Sequence, residues 1–336
     1  MRAYAYLNRI GLDDLRLIEL PDPQLGPFDI LLRMRAAALN FRDLAMARGN
    51  YHVRVSPPLI PVSDGAGEVI ATGSAVTRFR IGDLVCPTYL PAWIDGILTP
   101  AGASRRLGGP HDGVLAELVV VNEEAAVRAP QHLSPEEAAT LPVSAVTAWH
   151  SLYHLGTVCP GDTVVVQGSG GVSASAVQFA KAGGARVISV VRASQHAEQL
   201  CVLGASEVIV TDEVSNWPAR VMALTNNAGA DSVVNVAGGT TLAQSIACTR
   251  IGATTHLIGY AADTSAQLDI FDAIRHGALI RVAAAGSRAS FEKMVKAIEV
   301  NKIRPAISKL LPLAQVHEAL AGLAEGGHLG KVVLSF

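Results

Sequence analysis

The pattern of apolar residues changes character part-way along the chain. Up to about Val121, short apolar runs separated by glycine and proline turns predict β-strands. The predicted strands cover residues 30–36, 67–72, 84–88 and 115–121. From about Asn122, continuous apolar runs alternate with helices, which is typical of βαβ units and a parallel sheet. The sequence therefore predicts an α/β fold, with a β-rich domain and a doubly wound parallel-sheet domain.

Within the second part, strands are predicted at residues 163–167, 186–191, 207–210, 232–236 and 255–258, and a helix of small residues at 173–182. The tail is predicted to contain amphipathic helices at 291–300 and 313–325 and a last strand at 331–336. A further apolar run at residues 279–285 is strand-like and is expected at the far edge of the sheet. Because an apolar edge strand tends to pair with another chain, we expect a homodimer.

A glycine-rich turn directly follows the first strand of the α/β part and precedes its first helix. The turn reads GSGGVS from Gly168 to Ser173. Gly168 permits the tight turn, and Gly170 lets the backbone approach a pyrophosphate that the helix N-terminus attracts. Ser173 replaces the usual third glycine and is still small enough for close packing. This context predicts a dinucleotide site; the alternative is a glycine turn without a ligand.

The end of the next strand indicates which dinucleotide binds. An NAD site normally offers a carboxylate to the ribose diol at this point. This chain instead has Arg192, Ala193 and Ser194 after Val191. Arg192 and Ser194 are able to bind a 2′-phosphate through charge-assisted hydrogen bonds. The predicted cofactor is therefore NADP(H), unless Arg192 is only a solvated residue at a strand end.

Composition and charge exclude several classes of protein. Of the 336 residues, 50% are hydrophobic and 17% are charged, which argues against a disordered or coiled-coil chain. A net charge of −2 offers no basic field for nucleic acid. The N-terminus is charged, the uncharged stretches at 138–161 and 163–180 are interrupted by polar residues, and the four cysteines form no CxxC pair. We expect a reduced, cytoplasmic protein with no membrane partner.

Several short motifs occur in a characteristic order along the chain. They are LNFRD from Leu39, SDGAGEV from Ser63, FRIGDLV from Phe79, AATLP from Ala138, PGD from Pro160, the GSGGVS turn and GHLGKVV from Gly327. With these motifs the chain resembles the medium-chain dehydrogenase/reductase superfamily over essentially its whole length. The resemblance implies a GroES-like catalytic domain at residues 1–121 and 290–336, a Rossmann NADP-binding domain at 122–289, and an active site in the cleft.

The chain departs from the zinc-dependent alcohol dehydrogenases of this superfamily. Asn40, Ser63 and Val143 stand where the resemblance places the ligands of the catalytic zinc. None offers the thiolate or imidazole that zinc sites use. Residues 92–112 likewise contain no cysteine for a structural zinc lobe. The resemblance therefore implies that no metal is bound, and it is nearer to the zinc-free quinone oxidoreductases and the enoyl reductase domains of polyketide synthases.

In these zinc-free relatives a tyrosine that follows the LNFRD motif reaches the active site, and the match falls on Tyr51. A phenol, with a pKa near 10, is able to donate a hydrogen bond to a developing enolate oxygen. The alternative is an ordinary loop tyrosine. The candidate catalytic residues are Tyr51 and Asn40. The candidate cofactor-binding residues are Asn40, Thr147, Gly168, Gly170, Gly171, Val172, Arg192, Ser194, Gly259 and Lys331.

Three charged residues have less specific roles. Lys331 aligns with a basic residue near the cofactor pyrophosphate in the superfamily, and otherwise is a solvated strand residue. Asp64 and Arg42 are expected to form a buried pair that shapes the cleft rather than to act in catalysis.

Taken together, these features favour a zinc-independent, NADPH-dependent oxidoreductase that transfers hydride to an activated C=C bond of an enone or enoyl group, or to a quinone. One alternative is a zinc-free, NADP-dependent alcohol dehydrogenase or ketone reductase, in which Tyr51 alone polarises the carbonyl. Another is a non-catalytic NADP-binding sensor or scaffold. The expected partner is a small-molecule carbonyl, enone or quinone.

Overall fold

The strands and helices are defined by a computed structural model that describes residues 1–336. The strands are β1 (Arg2–Tyr6), β2 (Leu15–Glu19), β3 (Asp29–Leu39), β4 (Asp64–Thr72), β5 (Leu84–Pro87), β6 (Leu118–Asn122), β7 (Ala126–Arg128), β8 (Thr163–Gln167), β9 (Arg186–Val191), β10 (Glu207–Val210), β11 (Ala230–Asn235), β12 (Thr249–Leu257), β13 (Leu279–Val282), β14 (Ile307–Pro312) and β15 (Lys331–Ser335). The α-helices are α1 (Phe41–Ala47), α2 (Pro100–Ser104), α3 (Pro135–Ala139), α4 (Val146–His150), α5 (Gly171–Ala182), α6 (Ala197–Leu203), α7 (Trp217–Leu224), α8 (Thr241–Ala247), α9 (Ile270–His276), α10 (Arg288–Asn301) and α11 (Val316–Glu325). None of these helices has the length and apolar character needed to cross a membrane.

Two compact units make up the chain. One contains Met1–Val146 and Ala285–Phe336, and the other contains Thr147–Ala284. This division differs from the predicted boundaries, which fall after residues 121 and 289. The reason is that β7 lies beyond residue 122 but pairs antiparallel with β5, and α10 packs against β7. Both elements therefore belong to the first unit.

The first unit is built around β3. Its main sheet has the strand order β14-β15-β3-β4-β5-β7, and β6 also pairs with β3. Ile30, Leu32 and Met34 are buried and alternate with less buried residues, as expected for a strand with one face in the core. At the far end of β3, Ala38 lies opposite Asp64 of β4 and Val333 of β15. The starts of β4 and β15 are therefore held on either side of the end of β3.

The second unit contains a six-stranded parallel sheet with the order β10-β9-β8-β11-β12-β13. The order reverses between β8 and β11, and sheets of this kind bind ligands outside the carboxyl ends of the strands at such a switch point. β8, β9 and β10 begin and end at the predicted residues, because each is a continuous apolar run between turns. The predicted fold class, a β-rich unit together with a doubly wound parallel sheet, is confirmed.

Other boundaries in the second unit differ from the prediction. α5 begins at Gly171, two residues before the predicted start at 173, because the last glycine of the turn already lies in the helix. β12 begins at Thr249 rather than at residue 255. It passes through Gly252, whose φ is +73°, and its register against β11 shifts between Ala230 and Ser232. Because of this irregularity, the sequence pattern did not predict the first half of β12.

Candidate functional site

A glycine turn joins β8 to α5 at the carboxyl edge of the parallel sheet. Gly168 has a φ of +77°, in the left-handed region that favours glycine. A Cβ atom at Gly170 would meet no protein atom within 4 Å, so this side of the turn is open to an approaching group. Gly170 provides no side-chain cap for α5, and the first N–H groups of a helix have no partner within it. With Gly171 and Val172 in its first helical turn, this segment fits a dinucleotide pyrophosphate.

Buried polar side chains form a hydrogen-bond network next to the glycine turn. Gln167 ends β8 and Asn235 ends β11, and the amide of each donates to the Ser245 hydroxyl at 2.9 Å. Asn235 Oδ1 accepts the backbone N–H of Gly238 at 2.7 Å. The Ser173 hydroxyl donates to the Gln167 carbonyl oxygen at 2.6 Å, which ties α5 to β8. The sequence analysis did not identify Gln167 and Asn235 as site residues. The signal available in the sequence was that each of these amide residues ends an apolar strand.

The other predicted cofactor residues of this unit follow neighbouring strands or lie on α4. Arg192 and Ser194 are exposed directly after β9. Gly259 comes shortly after β12, and a Cβ atom there would lie 2.1 Å from the Val236 carbonyl oxygen, so no larger residue fits. Thr147 is buried on α4. The structure thus gathers the glycine turn, Arg192, Ser194 and Gly259 after the carboxyl ends of β8, β9 and β12.

A buried ammonium group lies where three motifs of the first unit meet. Lys331 begins β15, and its Nζ lies 2.5 Å from Asn40 Oδ1, 2.7 Å from the Leu39 carbonyl oxygen and 3.5 Å from Asp64 Oδ2. An ammonium has three N–H donors, so each of these oxygen atoms is able to accept one. The side chains of Lys331 and Asp64 are 5% and 0% exposed. The cluster exists because β3 holds the starts of β4 and β15 beside its own end.

A second buried ion pair stands at the start of α1. Asp43 Oδ2 accepts the backbone N–H of Asn40 at 2.9 Å, which caps the helix. Asp43 Oδ1 accepts from Arg42 Nη1 at 3.1 Å. Arg42 Nη2 also donates to the carbonyl oxygens of Gly108 and Gly109, each at 3.1 Å. Hydrogen bonds to the Asp43 carboxylate and to the two glycine carbonyl oxygens therefore fix the position of the guanidinium.

The buried pair expected between Arg42 and Asp64 is wrong. Arg42 pairs with Asp43, its neighbour on α1, and Asp64 pairs with Lys331. The reason is the sheet order, which places Asp64 at the start of β4 and Lys331 at the start of β15, next to the same end of β3. Lys331 is likewise not the solvated strand residue that was its alternative interpretation.

The four charged groups of these two pairs are almost fully removed from water. Burial raises the pKa of Asp43 and Asp64 and lowers the pKa of Lys331, because each charged form loses hydration. The attraction between Lys331 and Asp64 opposes the shift in both partners. When all four groups are ionised, two cations balance two carboxylates and the cluster has no net charge.

The residues at the positions of the zinc ligands in the zinc-dependent alcohol dehydrogenases do not suit a zinc ion. Asn40, Ser63 and Val143 offer an amide, a hydroxyl and an alkyl group, whereas zinc sites use thiolate, imidazole or carboxylate. The nearby carboxylate of Asp64 is already engaged, since Oδ1 accepts the Ser63 hydroxyl at 3.0 Å and Oδ2 accepts the Val143 N–H at 3.3 Å. The ammonium of Lys331 also lies beside it. A metal cation would meet a positive charge in this place.

The hydroxyl of Tyr51 pairs with a second phenol. Tyr51 lies in the loop after α1, and its Oη is 3.0 Å from Tyr89 Oη. The guanidinium carbon of Arg42 lies 5.2 Å from the centroid of the Tyr51 ring and 5.3 Å from that of Tyr89, within cation–π range. Tyr89 was not expected from the sequence, because it is a single tyrosine after β5 with no motif around it.

The predicted residues of the first unit are thus joined in one group. Asn40 and Lys331 are in direct contact, 2.5 Å apart. Tyr51 is linked to them through Arg42, which contacts its ring, and Asp43, which bonds both Arg42 and the Asn40 backbone. The group combines the Tyr51 phenol with the two cations of Arg42 and Lys331.

Two domain families match the chain. The alcohol dehydrogenase GroES-like domain matches residues 26–131. The family described as zinc-binding dehydrogenase matches residues 171–300. These matches fall on the β-rich unit and mainly on the parallel-sheet unit, respectively.

Full-length similarity extends to curated and solved proteins. A zinc-type alcohol dehydrogenase-like protein of Schizosaccharomyces pombe is 37% identical over 331 residues, covering 96% of each chain. The structure of an NAD-dependent alcohol dehydrogenase matches with a TM-score of 0.90 at 31% identity, over 100% of both chains. The 2-octenoyl-CoA carboxylase reductase CinF, in complex with NADP and 2-octenoyl-CoA, matches with a TM-score of 0.84 at 26% identity, over 99% of this chain and 87% of that one. The chain therefore belongs to the medium-chain dehydrogenase/reductase superfamily and is an NAD(P)-dependent oxidoreductase.

Proposed function

We propose that the protein is a zinc-independent, NADPH-dependent reductase that adds hydride to the activated C=C bond of an enone or enoyl group, or to a quinone. The observation that carries this proposal is the Lys331 cluster. Asn40, at a position that holds zinc in the zinc-dependent relatives, is bound by an ammonium group, and the neighbouring Asp64 accepts hydrogen bonds from the Ser63 hydroxyl and the Val143 N–H. The enoyl-CoA ligand of the similar reductase CinF supports the same class of acceptor.

The absence of suitable zinc ligands favours a conjugated acceptor. A plain ketone develops its negative charge as an alkoxide, which usually needs a Lewis acid. In an enone, an enoyl thioester or a quinone, the charge is delocalised onto an oxygen that becomes an enolate or phenolate. Hydrogen-bond donors are able to stabilise such an oxygen. Tyr51, beside the cation of Arg42, is the proposed donor.

The second unit is proposed to hold the cofactor, which supplies the hydride when bound. The glycine turn from Gly168 to Val172 would bind the pyrophosphate, and Arg192 with Ser194 would bind the 2′-phosphate. The NADP bound to CinF supports this choice. Thr147 is proposed to line the nicotinamide face, and Gly259 to permit a close approach after β12.

In the first unit, Asn40 is proposed to contact the nicotinamide ribose or the acceptor. Lys331 acts on Asn40 by holding its Oδ1, which fixes the orientation of the side-chain amide. The predicted contact of Lys331 with the cofactor stays a prediction, and so does the cytoplasmic location.

A substrate panel tests the proposed function. The metal content of the purified protein is measured first. We expect this protein to oxidise NADPH faster with an enone or a quinone than with a ketone or an aldehyde. Tyr51→Phe should lower kcat/KM by about 100-fold, because the proton donor is lost. Tyr4→Phe is the matched control, since it removes a phenol hydroxyl from β1 of the same unit. Turnover with the ketone or aldehyde alone, or a zinc content near one per chain, would contradict the proposal.

The same assay tests the cofactor choice through Arg192→Ala. Loss of a charge-assisted contact to the 2′-phosphate should raise KM for NADPH by about 10-fold and leave KM for NADH nearly unchanged. An equal change for both cofactors would assign Arg192 no part in the choice.

A zinc-free alcohol dehydrogenase or ketone reductase is the second candidate function. The observation in its favour is that one similar structure is named an NAD-dependent alcohol dehydrogenase and the Schizosaccharomyces pombe relative a zinc-type alcohol dehydrogenase-like protein. In this case Tyr51 would polarise the carbonyl without a metal. The non-catalytic alternative is not supported, because the full-length relatives are oxidoreductases.

We further propose that the protein forms a homodimer through β13. This strand has β12 as its one neighbour in the sheet, so its other edge is unpaired. Leu279, Ile280 and Val282 are 48%, 40% and 71% exposed. The preceding helix, α9, also exposes Ile270, Phe271 and Ile274. A second copy that pairs at this edge would cover the apolar surface.

Sedimentation tests the dimer. The wild-type protein should sediment at twice the chain mass at micromolar concentration, and Val282→Lys should shift it to the monomer because a charge would be placed in the interface. Leu310→Lys is the matched control, since Leu310 is 52% exposed on β14, the edge of the other sheet. A wild-type monomer, or equal effects of both variants, would contradict the proposal.

A further inference from the structure

The second phenol of the first unit, Tyr89, is placed to act on Tyr51. Tyr89 follows β5 and is 6% exposed, whereas Tyr51 is partly exposed. Their hydroxyl oxygens are 3.0 Å apart, which is a hydrogen-bond distance. The deeper phenol therefore contacts the reactive atom of the shallower one.

Arg42 fixes the two rings relative to each other. Its guanidinium carbon lies 5.2 Å from one ring centroid and 5.3 Å from the other. Carbonyl oxygens of Gly108 and Gly109 and the carboxylate of Asp43 hold the guanidinium in place. Because an arginine stays protonated in proteins, this positive charge is permanent. It favours negative charge on either phenol oxygen.

The direction of the hydrogen bond between the two phenols decides what Tyr51 is able to do. The pair has two hydroxyl hydrogens, and one of them lies between the oxygens. If Tyr51 donated, its hydrogen would be directed into the pair and away from an acceptor. Burial raises the pKa of Tyr89, so Tyr89 keeps its proton when negative charge builds up on Tyr51. Tyr89 is then the donor.

We infer that Tyr89 is a positioning residue that donates its hydrogen bond to Tyr51 Oη, leaving the Tyr51 hydrogen for the acceptor oxygen. The inference rests on the proposed function of Tyr51. As the acceptor carbon takes up hydride, the O–H bond of Tyr51 breaks and its proton passes to the acceptor oxygen. The electron pair of that bond stays on Tyr51 as a phenolate. Tyr89 keeps its own proton and stabilises this phenolate, and water then returns a proton to Tyr51.

Tyr89→Phe tests the inference in the full-length enzyme with NADPH. The variant keeps the ring beside Arg42 and removes the hydroxyl. We expect kcat to fall about 10-fold, with KM for the acceptor nearly unchanged, because the lost hydrogen bond strengthens as charge develops on Tyr51. A rise in KM with an unchanged kcat would overturn the inference. Tyr4→Phe again serves as the control.

A double variant separates an action through Tyr51 from a general structural effect. If Tyr89 acts through Tyr51, adding Tyr89→Phe to Tyr51→Phe should lower the residual rate no further. Multiplicative losses in the double variant would show that the two residues act independently, and the inference would then be wrong.

An NMR measurement without substrate gives a readout that does not depend on the reaction. Tyrosine labelled with ¹³C at the phenol carbon reports hydrogen bonding of the Tyr51 hydroxyl, with Tyr51→Phe identifying its signal. Loss of the Tyr89 hydroxyl should shift this signal, because Tyr51 Oη loses a hydrogen-bond donor. An unmoved signal would overturn the inference even if the enzyme reduces enones. A shifted signal without enone or quinone turnover would instead place the failure in the proposed function.

Discussion

Replacement of Lys331 by Met is expected to lower the free energy of unfolding by about 3–5 kcal/mol. Methionine is an unbranched apolar residue able to occupy much of the same space, but it has no charge. It would leave Asp64 as a fully buried carboxylate without its cation, and Asn40 Oδ1 without its donor. Chemical denaturation followed by circular dichroism measures the loss.

A second substitution separates the loss of charge pairing from a loss of packing. Asp64→Asn in the Lys331→Met background removes the unpaired charge, so it should recover a large part of the lost stability. Lys309→Met is the matched control. Lys309 pairs with Glu318 at 3.6 Å, with both side chains about half exposed, so its loss should change stability by less than about 1 kcal/mol. Equal losses in the two single variants, or no recovery in the double variant, would contradict the prediction.

The parts of the fold that were predictable from the sequence are those set by local patterns. β8, β9 and β10 are continuous apolar runs, and their ends were predicted to the residue. The glycine turn was also predictable, since its strand, its turn and its helix are adjacent in the chain. β12 was half missed because Gly252 and a register shift interrupt the pattern of a strand.

The long-range partners in the site were not predictable in this way. Lys331 lies 291 residues from Asn40 and 267 from Asp64 in the chain, and the strand order of the sheet brings the three together. The same order explains why the expected pairing of Asp64 with Arg42 was wrong. Tyr89 was missed because it is identified as a site residue only by its contact with Tyr51, and no local sequence pattern predicts that contact.

The stability of the second unit is expected to depend on pH through a buried histidine of β12. His256 is 0% exposed, and neither ring nitrogen has a hydrogen-bond partner. Burial, with a smaller contribution from the charge of Arg281, lowers its pKa from 6.5 to about 4. An unfolded histidine keeps a pKa near 6.5, so the unfolded state binds more protons between these two values. Protons in this range therefore favour unfolding.

The expected result is a fall in the free energy of unfolding of up to about 3 kcal/mol as pH decreases from 6.5 to 4. The stability contributed by the neutral His256 is fully present above pH 6.5 and is lost as the pH falls through the folded-state pKa of about 4. His256→Gln should make the dependence on pH shallower, whatever its effect at neutral pH. Urea denaturation at several pH values in this range measures the slope.

A residual slope is expected in His256→Gln, because burial also lowers the pKa of the neighbouring His150 to about 4. His317→Gln is the control, since His317 is exposed on α11 and its loss should leave the wild-type slope unchanged. If His256→Gln kept the full wild-type slope, the acid sensitivity would have to come from other groups. If instead the slope decreased and that of His317→Gln did not, the unpaired imidazole in β12 would be its source.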